Sequence, residues 1–321
     1  MSFELTITDN TPVTSCEDLQ EAVMIFLTQI GYLSENYQPR TASATSKRES
    51  VPFVLFYDCF LSKIGKGWKV DELTKRLKTT PPTVYRHINK LLMIGLIDQT
   101  VDDVTGESNL YRVRFGNISA AWKVVEANIE AVKEIYRKSV DAIEENAKKD
   151  PAAKKAIDKS LVLKSRAGRL RDRFRITMAD RPQSSSRNPD DALVHLLTST
   201  GYLERTPHEH AKIRKSIPYR LFSDCFMKRR DRAWDADSLA AAVKTSKPTV
   251  YRHLNKLLSL GVLESVPMGT NYPMKIGYRI RYGDFSRAWY FVENRIENAV
   301  ANYRKTVNTI HNMMASGGMN K

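Results

Sequence analysis

One fourteen-residue segment occurs twice in the chain, and this repeat constrains the fold more than any other feature. "PTVYRHINKLLMIG" begins at Pro82 and "PTVYRHLNKLLSLG" begins at Pro248, with eleven of fourteen positions identical. "EAVMIFLTQIGYL" (21–33) likewise matches "DALVHLLTSTGYL" (191–203), and "YRVRFGNISAAW" (111–122) matches "YRIRYGDFSRAW" (278–289). Such self-similarity indicates two related domains. A chain of 321 residues is long enough for each to bury its own core.

The repeat divides the chain into three parts. We assign residues 17–147 to the first copy with its flanking helices, 148–189 to a basic, partly helical linker, and 190–314 to the second copy. Residues 148–187 hold 13 Lys or Arg and 4 Asp, so their net charge of +9 is more than half of the chain's +15. Two interpretations of this segment stay open, a solvated linker and a nonspecific phosphate-binding segment.

Composition narrows the cellular setting. The excess of 51 Lys and Arg over 36 Asp and Glu favours a polyanionic partner, but it also fits a basic soluble protein. The N-terminus "MSFELTITDN" does not resemble a secretory signal, and no apolar run approaches the roughly 20 residues of a membrane helix. Cys16, Cys59 and Cys225 form no CxxC pair and are expected to be small reduced residues. A cytoplasmic protein follows.

The sequence of each copy predicts the same order of secondary-structure elements. "VPFVLFYDCFLSKI" is apolar at helical spacing, and "ELTKRL" predicts a short helix with Asp71 as N-cap. Thr80 is expected to cap a second helix that begins at Pro81 and ends at Gly95. The strand-like segments "LIDQTV" and "LYRVRF" follow as a hairpin, and the second copy repeats this plan.

With "PTVYRHLNKLLSLGVLE" in place, the order helix, strand, helix, turn, helix, hairpin resembles the winged helix-turn-helix superfamily, especially MarR- and ArsR-like regulators. The resemblance covers residues 51–117 and 217–284. It implies a mainly α fold with small β-hairpin wings, in which tandem winged helix-turn-helix domains are each followed by a long helix. In that superfamily the second helix of the motif enters the major groove of DNA.

The two long helices, predicted over 118–147 and 285–314, carry matching apolar stripes. The stripe positions are Trp122, Val125, Ile129, Val132, Tyr136, Val140 and Ile143 in one helix, and Trp289, Val292, Ile296, Val300, Tyr303, Val307 and Ile310 in the other. We expect the helices to pair, either as an intramolecular pseudo-dimer or across a homodimer. The alternative is that each helix packs only on its own domain.

The repeated helix presents a polar face opposite Val84, and this face predicts contact with double-stranded DNA. Arg86 and Arg252 are candidates for guanine, whereas Asn89 and Asn255 match adenine. Nearby Tyr and Lys side chains are expected to contact phosphates. The complete candidate set is Thr83, Tyr85, Arg86, Asn89, Lys90, Arg112, Arg114, Lys247, Thr249, Tyr251, Arg252, Asn255, Lys256, Lys275, Arg279 and Arg281.

The hairpins distinguish the copies. The first hairpin carries Asp102, Asp103 and Glu107 at its tip, whereas the second carries Lys275. Residues 51–117 have a net charge of +3 and residues 217–284 of +6. We therefore expect the second copy to contribute more DNA affinity.

Other chemistry finds little support in the sequence. His87 and His253 lie at the border of the helix faces and favour packing or phosphate contact over metal binding, and "HEH" (208–210) is a weak metal signal. No HExxH, Gly-rich phosphate loop or nucleophile elbow occurs. We expect no enzyme, no cofactor and no metal site.

The sequence therefore favours a nucleoid-associated transcription regulator. Three alternatives stay open: an architectural, chromatin-like DNA binder, a plasmid-type replication initiator, and a winged-helix protein-interaction scaffold.

Overall fold

The computed structural model describes residues 3–34, 48–101, 106, 109–149, 151, 154–157, 173–180, 188–204, 210–268 and 275–317. These residues are mostly helical, with small antiparallel strand pairs. The chain forms two compact units, residues 1–130 with 298–321, and residues 131–297. None of the described helices combines the length and the apolar character that crossing a membrane requires.

The first unit begins with a strand, continues into the first long helix as far as residue 130, and also includes the end of the last helix. Its elements are β1 (Glu4–Thr8), α1 (Leu19–Gln29), α2 (Val51–Val54, continuing as a π-helical turn over Leu55–Leu61), α3 (Val70–Arg76), α4 (Pro81–Ile94), β2 (Ile97–Thr100), β3 (Leu110–Val113) and the start of α5 (Ile118–Lys149).

Local sequence explains the position of α4. Two prolines fit its first turn, where a missing N–H costs nothing, and Gly95 ends it with a positive φ of 95°. Its buried residues are Val84, Ile88, Leu91 and Ile94. The polar face is thereby turned away from the core. The predicted helix and its end at Gly95 are confirmed.

The short helix α3 begins differently from its prediction. Lys69 occupies the N-cap position and Asp71 lies in the first turn, so the assignment of Asp71 as the cap is wrong. A carboxylate in the first turn still interacts favourably with the helix dipole.

The second unit repeats this order of elements. It contains the end of α5, β4 (Arg175–Ala179), α6 (Pro189–Ser199), α7 (His210–Arg214), α8 (Ile217–Arg220, continuing as a π-helical turn over Leu221–Met227), α9 (Ala236–Val243), α10 (Lys247–Leu260), β5 (Leu263–Met268), β6 (Lys275–Ile280) and the start of α11 (Phe285–Gly317). Strand β4 lies inside residues 148–189, so the linker assignment is wrong for residues 175–179.

Each unit also has an antiparallel hairpin with a defined register. Asp98 pairs with Arg112 in the first unit, and Glu264 pairs with Arg279 in the second. The tip residues Asp102, Asp103 and Glu107 lie outside the described residues, as do Arg166, Arg169 and Arg171 of the basic segment.

The stripes of both long helices are buried, as predicted. Within the first unit, the Trp122 ring meets the Tyr303 ring edge-on at 5.6 Å, and Glu126 accepts a hydrogen bond from Arg304 Nε at 2.8 Å. Within the second unit, Tyr136 meets Trp289 at 5.8 Å. Arg137 Nη2 donates to Glu293 Oε2 at 2.7 Å. Each unit thus contains a contact between its segments of α5 and α11.

Candidate nucleic-acid interface

The side chains that are predicted to contact bases lie on the exposed face of α4. Tyr85, Arg86 and Asn89 are all exposed, whereas Val84 and Ile88 on the opposite side are completely buried. This separation leaves donors and acceptors available to a ligand that approaches the helix. A guanidinium and an amide on such a face match the hydrogen-bonding edges of guanine and adenine.

Helix α10 repeats this surface. Tyr251, Arg252 and Asn255 are exposed, and Tyr251 is 46% exposed against 47% for Tyr85. The helix is anchored at its start by Ser246, whose Oγ accepts a hydrogen bond from Thr249 N at 3.4 Å. The same surface therefore occurs once in each unit.

The candidate residues at the start of the two helices already form hydrogen bonds or an ion pair within the chain. Thr83 Oγ1 lies 3.0 Å from Thr80 Oγ1, and Thr249 Oγ1 lies 3.0 Å from Ser246 Oγ. Lys247 is exposed and forms an ion pair with Asp237. This exposed ion pair is worth up to about 1 kcal/mol, and the Lys247 ammonium keeps further N–H donors for a phosphate.

The equivalent lysines Lys90 and Lys256 differ in the groups that they contact. Lys90 Nζ donates to the carbonyl oxygens of Gly31 and Tyr32 at 2.8 and 3.1 Å. Burial and the nearby Arg86 lower the pKa of Lys90. Lys90 therefore stabilises the turn that follows α1. To contact a phosphate freely, its side chain would first have to break these hydrogen bonds. Lys256 lines a cavity instead.

The structure changes the prediction for the hairpin arginines, which were expected to contact DNA. Arg279 is only 3% exposed and its Nε donates to Glu264 Oε1 at 2.8 Å, so it is a core residue. Arg112 is partly exposed and pairs with Asp98 at 3.7 Å. Of the two, only Arg112 is placed to meet a ligand.

Arg114 and Arg281 lie beyond the strands and do not share a face with Arg112 and Arg279. Each lies in a short 3₁₀ turn, and their Nε atoms donate to the carbonyl oxygens of Gly95 at 3.1 Å and Gly261 at 2.8 Å. They stabilise the ends of α4 and α10, where carbonyl groups lack helical partners. We withdraw Arg114, Arg279 and Arg281 from the candidate interface.

His253 is buried on α10, and His87 is partly buried at the equivalent position of α4. Each meets the edge of a tyrosine ring, Tyr32 at 6.1 Å and Tyr202 at 6.0 Å. Burial, reinforced by neighbouring Arg and Lys side chains, lowers the pKa of His87 and of His253 to about 4. Neutral packing residues fit this environment better than phosphate contacts.

Lys78 and Lys244 are candidate contacts that the sequence reasoning missed. They occupy equivalent exposed positions in the turn before α4 and α10, with φ of 47° and 55°. The left-handed conformation costs a residue with a side chain about 1 kcal/mol relative to glycine. The pair "KT" recurs before both helices, and this repetition was the available signal. Backbone strain retained twice at one position suggests use of the side chain.

Lys275 is exposed at the start of β6. Among the residues that the structure describes, no group of three or more His, Cys, Asp and Glu side chains is arranged to hold a metal ion. Comparisons with protein-family models, with curated proteins and with solved structures find no match to this chain.

Proposed function

We propose that the chain is a duplex DNA-binding protein made of two winged helix-turn-helix domains, with α4 and α10 as the recognition helices and β2–β3 and β5–β6 as the wings. The observation that carries the proposal is the recurrence of one exposed polar face on two helices whose opposite face is buried. Arg86 with Asn89 and Arg252 with Asn255 supply side chains that read bases.

The surroundings of the helices supply the phosphate contacts. Tyr85, Tyr251 and Lys256 flank the base-reading residues, and Lys78 and Lys244 precede the helices. Such contacts position a protein on DNA without specifying sequence. The second domain contributes more affinity, because Lys247 and Lys275 add positive charge near its helix and wing.

A role in transcription regulation fits two reading helices in one chain, because two adjacent half-sites are then recognised without dimerisation. The architectural and replication-initiator alternatives share the same DNA chemistry. Genome-wide footprinting distinguishes them: a few sharp sites indicate a regulator, broad coverage an architectural protein, and one cluster of sites an initiator.

The experiment that tests DNA binding is a fluorescence-anisotropy titration of the full chain against duplex DNA at several salt concentrations. With about six phosphate contacts, we expect a slope of log affinity against log salt near −5. A slope near zero contradicts the proposal. Arg287→Ala removes one exposed charge from α11 and serves as the control for Arg252→Ala. Only Arg252→Ala is expected to reduce discrimination between the selected site and random DNA.

A further inference from the structure

Three aromatic side chains lie on the surface of the second unit where β6 meets α11. They are Tyr282 in the 3₁₀ turn before α11, and Tyr290 and Phe291 near the start of α11. Tyr290 is 66% exposed, and the Tyr282 and Phe291 rings meet edge-on with their centroids 6.5 Å apart. We call these three residues the aromatic surface. Neighbouring exposed rings of this kind mark interaction sites, whereas single exposed apolar residues are common.

The backbone holds Tyr282 in a conformation that favours glycine. Its φ is 57°, which is unusual for a bulky side chain. The preceding Arg281 fixes this turn, because its Nε donates to Gly261 O at 2.8 Å and its Nη2 donates to Leu263 O at 3.1 Å. Strained residues of this kind cluster at functional sites, where the surrounding structure maintains them. The turn therefore presents the partly exposed Tyr282 ring in a fixed position.

Arginine side chains lie beside these rings. The Arg281 guanidinium is 4.1 Å from the centre of the Phe291 ring. The Arg295 guanidinium is 5.9 Å from the same ring and 4.7 Å from the ring of Phe174. Arg173, next to Phe174, is exposed. The aromatic surface is therefore accompanied by three cations.

The neighbouring carboxylates of Asp284 and Glu293 are already paired. Asp284 Oδ2 lies 3.3 Å from Lys148 Nζ, and Glu293 Oε2 lies 2.7 Å from Arg137 Nη2. Both carboxylates are buried, so they offer little repulsion to an approaching phosphate. Arg173 also belongs to the basic segment 148–187, whose net charge of +9 is not used by the proposed duplex contacts. Charge on this side of the unit therefore favours a polyanion.

The first unit has only part of this arrangement. Phe115 matches Tyr282, with the same φ of 57° and an exposed ring. The positions equivalent to Tyr290, Phe291 and Arg295 hold a lysine, a valine and an asparagine, namely Lys123, Val124 and Asn128. The combination of several rings with arginines therefore belongs to the second unit, and the first unit supplies matched control positions.

We infer that the aromatic surface binds single-stranded DNA, with unpaired bases stacked on Tyr282 and Tyr290 and with phosphates near Arg173 and Arg295. Every base has a face that stacks on a ring, so this site tolerates any sequence. Bases within a duplex stack on one another and do not offer that face. The site is therefore distinct from the duplex-reading faces of α4 and α10. The choice of DNA over RNA, but not the single-stranded site, rests on the function proposed above.

Fluorescence anisotropy of the full chain with a labelled oligodeoxyuridylate of about 16 nucleotides tests the site. Tyr290→Ala removes one stacking ring and should weaken binding roughly tenfold. Tyr290→Phe keeps the ring and should bind like wild type. Because Tyr290 is exposed, neither change should disturb the fold. Lys123→Ala changes the equivalent exposed position of the first unit and should have a much smaller effect than Tyr290→Ala.

Two further variants test the turn and the charge. Tyr282→Leu should weaken binding roughly tenfold, and the matched change Phe115→Leu should leave it nearly unchanged. Arg173→Gln should make the slope of log affinity against log salt shallower by about 0.7. Absence of binding by the wild type overturns the inference. Equal losses from Tyr290→Ala and Lys123→Ala, or from Tyr282→Leu and Phe115→Leu, overturn it too.

Arg252→Ala distinguishes this site from the recognition helix. It should leave single-strand affinity unchanged, and a loss from Arg252→Ala without a loss from Tyr290→Ala overturns the inference. An oligouridylate of the same length differs only in its 2′-hydroxyl groups, and tighter binding of that RNA overturns the choice of DNA. If Tyr290→Ala weakens single-strand binding in a chain that binds no duplex, the single-stranded site is supported and the duplex proposal fails separately.

Discussion

The second unit buries an ion pair at a place where the first unit has Ile64 and His311, which are both partly exposed. Arg230 and Glu144 are 1% and 2% exposed, with Nη1 and Oε2 2.6 Å apart. The repeat places Ile64 at the position equivalent to Arg230, and His311 of α11 corresponds to Glu144 of α5. A buried pair adds little net stability, but either charge alone in that environment is strongly unfavourable. In the second unit this charged pair therefore holds α5, whereas the equivalent position in the first unit, Ile64, carries no charge.

The hairpins show the same difference on a smaller scale. Arg279 and Glu264 are each 3% exposed, whereas Arg112 and Asp98 are 41% and 23% exposed. The longer strands of the second hairpin, six residues each against four, accompany this burial. The two copies thus differ more in buried charge than in the exposed faces of α4 and α10.

The largest expected effect comes from breaking the pair in the second unit. Arg230→Met leaves buried Glu144 with only Lys148 nearby, 3.8 Å away, and should lower the free energy of unfolding by up to about 3–5 kcal/mol, measured by urea denaturation. The matched change Ile64→Met in the first unit exchanges two apolar side chains and should cost less than about 1.5 kcal/mol.

The double variant Arg230→Met with Glu144→Met should recover most of the loss, because neither charge remains buried. If the double variant is as unstable as Arg230→Met, the ion pair is not the cause of the difference between the units.

The hairpin pairs give the next test. Arg279→Met should also cost up to about 3–5 kcal/mol, because the buried carboxylate of Glu264 then loses the guanidinium that lies 2.8 Å away. Arg112→Met removes a partly exposed pair and should cost about 0.2–1 kcal/mol. Similar losses in the two variants contradict the structural difference between the hairpins.

Acid should weaken both units in a similar way. The pKa of His87 and of His253 is about 4 in the folded chain, and that of an unfolded histidine is about 6.5. Between these values only the unfolded chain binds the proton, so stability falls as pH decreases from about 6.5 to about 4. The slope is at most about 1.4 kcal/mol per pH unit for each histidine.

His253→Phe keeps a ring at this position and removes its titration. Unfolding measured across this pH range should show a shallower slope for His253→Phe than for wild type. An unchanged slope contradicts the burial of a neutral imidazole.

The smallest effects concern the turn lysines. Lys78→Gly and Lys244→Gly should each stabilise the fold by roughly 1 kcal/mol, because glycine adopts a positive φ without strain. If the lysines contact DNA as we propose, DNA affinity should fall in both variants, and more for Lys244→Gly, which lies in the domain to which we assign the greater affinity. A gain in stability without any loss of affinity assigns these lysines no role in binding.

Local signals made much of this fold readable from sequence. The paired prolines, the terminal glycine and the apolar spacing of α4 specify a helix and its buried face, and the stripes of α5 and α11 specify which side is covered. These features depend on neighbours within one or two turns, so pattern reasoning located them correctly.

Features that depend on distant partners were not readable. Arg279 looked like a surface cation because alternation along the strand says nothing about burial beside Glu264. The segment "LYRVRF" predicts that Arg114 continues the strand, but Phe115 turns the chain with a φ of 57°. The cavity lined by Lys256 arises from three helices meeting, which no local pattern reveals.

The most direct test of the account measures Arg86→Ala, Arg252→Ala and the double variant side by side, by anisotropy on one selected duplex. A base-reading arginine contributes roughly 1–3 kcal/mol. We predict a loss of that size for Arg252→Ala, a smaller loss for Arg86→Ala, and the disappearance of sequence preference in the double variant. A double variant that binds the selected site as tightly as wild type contradicts recognition by α4 and α10, and a loss from Arg86→Ala at least as large as that from Arg252→Ala contradicts the inequality of the two domains.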